Sequence, residues 1–217
     1  MTPANIVQMS ALKGLDVIAV TDHNSCKNSK AVAVMAKQFG ITALYGMELC
    51  TQEEVHVLCL FTKVEAAMDF DSYVSRNIIP IKNDVSIFGN QYLYNECDEI
   101  IGEEKTLLIS ATTISFDNVY SLVNHYDGIM IPAHIDKNSN SLISNLGFVP
   151  EDAKFRTAEL KEMRNLHDLQ FRNPYLKQCK IISNSDAHYL EQINEPVNYL
   201  YAEENSPEGI FHALSRL

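Results

Sequence analysis

Apolar and polar positions along this chain follow two rhythms. Thr2 and Pro3 open a first segment with N-cap chemistry and a proline suited to the first helical position, and Gly14 stands just past its end. Ile6, Val7, Ser10 and Ala11 recur at helical spacing and predict one small, apolar face. "LDVIAVT" then runs apolar and rich in β-branched residues, the pattern of a strand covered on both faces. A second helix is predicted over "NSKAVAVMAKQF", closing at Gly40, and strands over "ITALYGMEL" and "EVHVLCLF". Helices alternating with fully apolar strands predict an α/β fold with parallel strands.

The rhythm breaks between about Thr62 and Thr113. That stretch carries a helical pattern ("AAMDFDSYVSRNI"), a polar loop from Asn83 to Asn90 and a hairpin-like "QYLYNECDEIIGE". It is read as an insertion or cap of a single domain spanning 1–217. Alternation resumes with the helix "FDNVYSLVNHY", the strands "GIMIPAHI", "TAELK" and "KIISNSDAH", a last strand "VNYLYAE" and a closing helix "SPEGIFHALSRL". No internal repeat or low-complexity segment interrupts this order.

Composition narrows the classes. A formal charge of -11, from 17 basic and 28 acidic residues, argues against a broad nucleic-acid footprint, so a polymer partner is not expected. Five cysteines (Cys26, Cys50, Cys59, Cys97, Cys179) are scattered, odd in number and never spaced as C-x-x-C. They read as small hydrophobes in a reducing, cytoplasmic compartment. No apolar run approaches the roughly 20 residues that span a bilayer.

Candidate chemistry lies where the apolar runs end. In α/β folds, functional side chains gather at the carboxyl ends of strands. His23, Glu48, His134, Asp186 and His188 all fall at such ends, and His56 sits inside its run between Val55 and Val57. Any one of them alone is more simply a hydrogen-bonded structural residue. Jointly they point to metal. Imidazoles with carboxylates suit Zn, Mn or Fe, and a carboxylate can bridge two ions. Ions so held clamp a phosphate and lower the pKa of a bound water, which becomes the nucleophile of phosphoester hydrolysis. Asp22 is read as a carboxylate that orients a neighbouring imidazole. His125, His167 and His212, on helical segments, are read as surface or packing residues. Lys137 and Lys161 could reach a substrate phosphate, but a solvated lysine is the simpler reading.

"GLDVIAVTDHNS", "ALYGMEL", "EVHVLCLF", "IPAHI" and "SNSDAH", in that order and spacing, resemble the PHP (polymerase and histidinol phosphatase) family over nearly the whole chain. The resemblance implies a distorted seven-stranded β/α barrel, a two- or three-metal centre and phosphoester hydrolysis. It implies His23, Glu48, His56, His134, Asp186 and His188 as ligands. Glu48 would bridge two ions, His56 and His134 would complete one of those sites, Asp186 would serve the other, and His23 with His188 a third. The family's first strand ends in H-x-H, with a further His or Asp ligand in the following loop, and this chain shows no such motif. The expectation is therefore a (β/α)7 PHP-type barrel without its first strand, keeping only the Glu48, His56, His134 site whole.

The function expected is a metal-dependent phosphoesterase acting on phosphorylated small molecules or nucleotides through a metal-activated water. The rival is a degenerate PHP domain that binds metal, or acts as a scaffold, without catalysis. A proofreading-type nuclease role fits the negative charge less well. A sheet edge exposed by a missing strand invites a second copy of the chain, so a homodimer covering that edge is expected.

Overall fold

The computed structural model describes residues 1–216; Leu217, the last residue of the expected closing helix, lies outside them. Helix α1 (Pro3–Leu12) leads into strand β1 (Val17–Ala19), helix α2 (Ser29–Gln38), and strands β2 (Thr42–Cys50) and β3 (His56–Phe61). Helix α3 (Val64–Ser75), the short α4 (Val85–Phe88) and a hairpin of β4 (Tyr92–Tyr94) with β5 (Ile100–Glu103) fill the irregular middle. Then come α5 (Phe116–His125), β6 (Ile129–Pro132), α6 (Leu142–Leu146), β7 (Thr157–Glu159), α7 (Leu166–Arg172), β8 (Lys180–Ile182) and α8 (Pro207–Ser215). Gly14 and Gly40 end the first two helices at φ +76° and +69°, backbone that favours glycine.

Thr2 does not cap α1 with its own side chain. Its hydroxyl and the Ala4 N–H both meet the Asp98 carboxylate from the β4–β5 turn, so the middle segment caps the first helix from a distance.

The sheet corrects the expected parallel order. Its four strands lie as β1-β2-β3-β6, and only β1 and β2 run parallel; β3 is antiparallel to both neighbours. The five residues Thr51 to Val55 between β2 and β3 allow a hairpin and are too few for a parallel crossover. Strands β7 and β8 form a separate parallel pair, tied to the end of β6 by the Ile135 N–H donating to the Glu159 carbonyl at 2.9 Å. No closed barrel forms among the described residues. Nor is β1 covered on both faces: Val17 and Ile18 are half-buried and Ala19 is exposed, because β1 stands at the edge of the sheet.

The expected last strand is also absent. Residues 196–202 enter no ladder, although Val197, Tyr199 and Tyr201 point outward while Leu200 and Ala202 pack inward. Their alternation is that of a strand with no neighbour to pair with.

Alternation within β2 and β3 divides the interior. Met47, Leu49, Val57, Cys59 and Phe61 face α3 and α5 with Phe70, Val119 and Val123. Leu44, Leu58 and Leu60 face the other way, against Ile131, Ile182, Ile210 and Leu214. Glu48 and His56 share the parity of that second face, so the period of two places both on it and the β2–β3 register makes them neighbours. No helix among the described residues is long and apolar enough to cross a membrane.

Candidate metal centre

The loop after β1 keeps following β2. Glu48 N–H donates to the Asp22 carbonyl at 3.0 Å and Asn24 N–H to the Glu48 carbonyl at 2.9 Å, so His23 lies directly beside Glu48. In the β2–β3 ladder Glu48 faces Leu58 and Cys50 faces His56, which makes Glu48 and His56 diagonal neighbours on one face. His134 follows β6 and turns back at φ +29°, a left-handed conformation uncommon outside glycine.

These three imidazoles converge on one carboxylate. Glu48, only 6% exposed, has Oε2 3.1 Å from Nδ1 of both His23 and His56, and Oε1 3.3 Å from Nε2 of His134. Ring centroids lie 5.2 Å apart for His23 and His56 and 5.4 Å for His56 and His134. Burial alone would raise the Glu48 pKa, yet the three imidazoles hold it well below the usual carboxylate range. Burial works to lower His23, and the adjacent Glu48 outweighs it, so His23 is raised.

A divalent ion fits this donor set. Ligand atoms of His23, Glu48 and His56 all lie within 4.8 Å of one another. Nδ1 of His23 is buried near Glu48 yet in no aligned hydrogen bond, an orphan that an ion would satisfy. His134, 2% exposed, brings a further nitrogen to the same carboxylate.

Asp186 and His188 stand to one side. The His188 ring lies 6.0 Å from that of His23, but its side chain is 58% exposed. Asp186, at φ +50°, pairs through Oδ2 with the ammonium of Lys137, and its Oδ1 is 3.8 Å from His188 Nδ1. Asp22 precedes His23 in the loop after β1. Its half-buried carboxylate accepts from Asn28 Nδ2 at 2.9 Å, and among the described residues it makes no hydrogen bond to an imidazole. Desolvation raises its pKa. The same Asn28 accepts the Tyr94 N–H at 2.9 Å, so the amide splints β4 to the loop that carries His23.

Glu159 was not singled out from the sequence. Its buried carboxylate accepts the His134 N–H at 3.1 Å and the Asn184 amide at 2.6 Å, holding the turned backbone of His134. Desolvation raises its pKa. The criterion that found Glu48, an apolar run ending on a carboxylate, applies equally to "TAELK". Asn24 was missed too: its amide accepts Cys50 N–H and donates to the Leu108 and Ser110 carbonyls, tying the middle segment to the metal loop. His125, His167 and His212 are exposed, as expected of surface residues. Of the cysteines, Cys26, Cys50 and Cys59 are buried, whereas Cys97 is exposed at the β4–β5 turn and does not act as a core hydrophobe.

His23 and Glu48, together with Asp186 and His188, line a cleft of about 1140 Å³. Tyr92 to Tyr94 from β4 also line it, and Leu44, Leu58, Leu60 and Ile182 give it an apolar part.

The family model for the PHP domain matches residues 1–209. A 51-residue stretch is 35% identical to the uncharacterized protein MJ1587 of Methanocaldococcus jannaschii, covering 24% of this chain and 30% of that protein. Among solved structures, the lesion-specific endonuclease PfuEndoQ of Pyrococcus furiosus superposes with a TM-score of 0.67 at 17% identity, over 99% of this chain and 51% of that one. An amidohydrolase of Chromobacterium violaceum gives 0.55 at 14% identity, over 91% and 87% of the two chains. A protein assigned as a metal-dependent phosphoesterase in Bifidobacterium adolescentis gives 0.50 at 14% identity, over 96% and 90%. The chain thus spans about half the length of the Pyrococcus protein.

Proposed function

The chain belongs to the PHP domain family, and from that premise we propose that it is a metal-dependent phosphoesterase whose substrates are small phosphate esters or nucleotides. The observation that carries this reading is the ring of His23, His56 and His134 around the buried Glu48. Those four residues would hold the ion, with Asp186 and His188 lining the same cleft as His23 and Glu48. A bound divalent ion supplies Lewis-acid polarisation of a phosphoryl oxygen and activation of water.

The rest is done by the chain's own groups. Glu48 remains ionised at neutral pH and so presents full negative charge to a cation. Glu159 fixes the turn that aims His134 at Glu48. The apolar side chains lining the cleft strengthen electrostatic interactions beside them. The net charge of -11 favours a small ester over a nucleic-acid polymer. In this reading a second copy of the chain is the partner, lying across the free edge of β1.

The test is hydrolysis of p-nitrophenyl phosphate and bis-p-nitrophenyl phosphate by the manganese-loaded protein, with metal content measured in parallel. Glu48→Gln and His134→Ala should each lower the rate by about a hundredfold or more and reduce bound metal. Bound metal with no hydrolysis of either ester, in a protein that folds, would favour the non-catalytic binding module.

A further inference from the structure

Lys137 is not the solvated lysine its sequence context suggests. It follows His134 in the turn after β6, where its N–H donates to the His134 carbonyl at 2.9 Å. Its own carbonyl accepts the Ser141 hydroxyl at 2.7 Å. The turn that aims His134 therefore also anchors the base of this side chain. The ammonium pairs with Oδ2 of Asp186, a residue that lines the cleft, the two side chains being 34% and 15% exposed. The nearer carboxylate in sequence, Asp136, is already engaged by the Lys161 and Glu162 N–H groups and the Asn165 amide. Lys161 itself donates to the Ser185 carbonyl, leaving Lys137 as the cation at Asp186 among the described residues.

We propose that Lys137 is a built-in cation that takes the place of a second metal ion at Asp186. The proposal rests on the metal-centre reading of Glu48 and its three histidines and goes beyond it. The chain binds one divalent ion tightly at that cluster. A second ion would have to displace a partly buried ammonium from Asp186, or lie beside it against like-charge repulsion that the cleft screens poorly. Lys137 is a positioning residue: it neutralises Asp186 and sets how many ions the centre holds.

The experiment is manganese titration of the full, chelator-treated chain by calorimetry, with wild type, Lys137→Gln, Lys137→Arg and the Lys137→Gln/Asp186→Asn double variant. Wild type should bind one equivalent tightly and a second at least tenfold more weakly. Lys137→Gln should tighten the second equivalent at least tenfold, a gain that loss of a merely structural contact would not produce. Lys137→Arg should behave as wild type, and the double variant should lose the second equivalent. Lys137→Met carries the same test should the glutamine variant not fold. Two equal sites in wild type, or a second site unmoved by Lys137→Gln, would overturn the role of Lys137 and leave the metal centre standing. Failure of wild type to bind any manganese would overturn both.

Discussion

Glu48 faces three imidazoles, and His23 is held above its ordinary value of 6.5 by that carboxylate despite its burial. The sign for stability follows from linkage. A His raised on folding stabilises fully below its unfolded pKa, and that contribution is lost as pH rises through the folded value. Metal binding runs the other way, because it needs the neutral imidazole. Affinity for a divalent ion should climb with pH across this window and proton release should accompany binding. Calorimetry in two buffers of different ionisation enthalpy counts those protons, and a count of zero would contradict the raised His23. Glu159 carries a second prediction at this scale. Glu159→Ala removes the acceptor of the His134 N–H, and metal affinity should fall by about 10- to 100-fold, the usual effect of losing a group that orients a ligand. Competition against a chromophoric chelator measures it.

Among the elements, the β2–β3 hairpin matters most, since it sets Glu48 and His56 on one face. Gly46 lies at its centre for a steric reason: a Cβ there would meet the Cys59 carbonyl oxygen and Leu60 Cδ2, each at 2.7 Å. Gly46→Ala should destabilise by about 1–3 kcal/mol, read as a lower urea midpoint with unchanged slope. The apolar runs marked where these strands lie, because burial on a pleat leaves a local, period-two record. They did not mark direction, since parallel and antiparallel strands leave the same record. The short link from Cys50 to His56 did carry that information, through the length a crossover requires.

For the whole molecule, the open edge of β1 is the main liability. Thr42 N–H donates to the Asp16 carbonyl and Glu48 N–H to that of Asp22, so the even-numbered residues face β2. Val17, Ala19 and Thr21 accordingly turn their backbone groups away from the sheet. The proposed dimer uses that edge. Ala19→Pro removes an outward N–H without touching the β1–β2 ladder, so it should yield a monomer in light scattering while metal content stays unchanged. A wild-type monomer at micromolar concentration would sink the dimer. The sequence by itself determined where most of the sheet strands and the longer helices lie and which of their ends carry the clustered imidazoles and Glu48, because periodicity, caps and turn residues act over a few neighbours. Only the tertiary structure decided that the strands run antiparallel after β2, that β1 is an edge, and that 196–202 has no ladder. It also decided the partners: Lys137 for Asp186, Glu159 for His134, Asn28 for Asp22. Lys137 and Asp186 stand 49 residues apart and Glu159 and His134 25 apart. No local pattern records such pairings, because chain crossings bring those groups together and burial then requires each to find a counterpart.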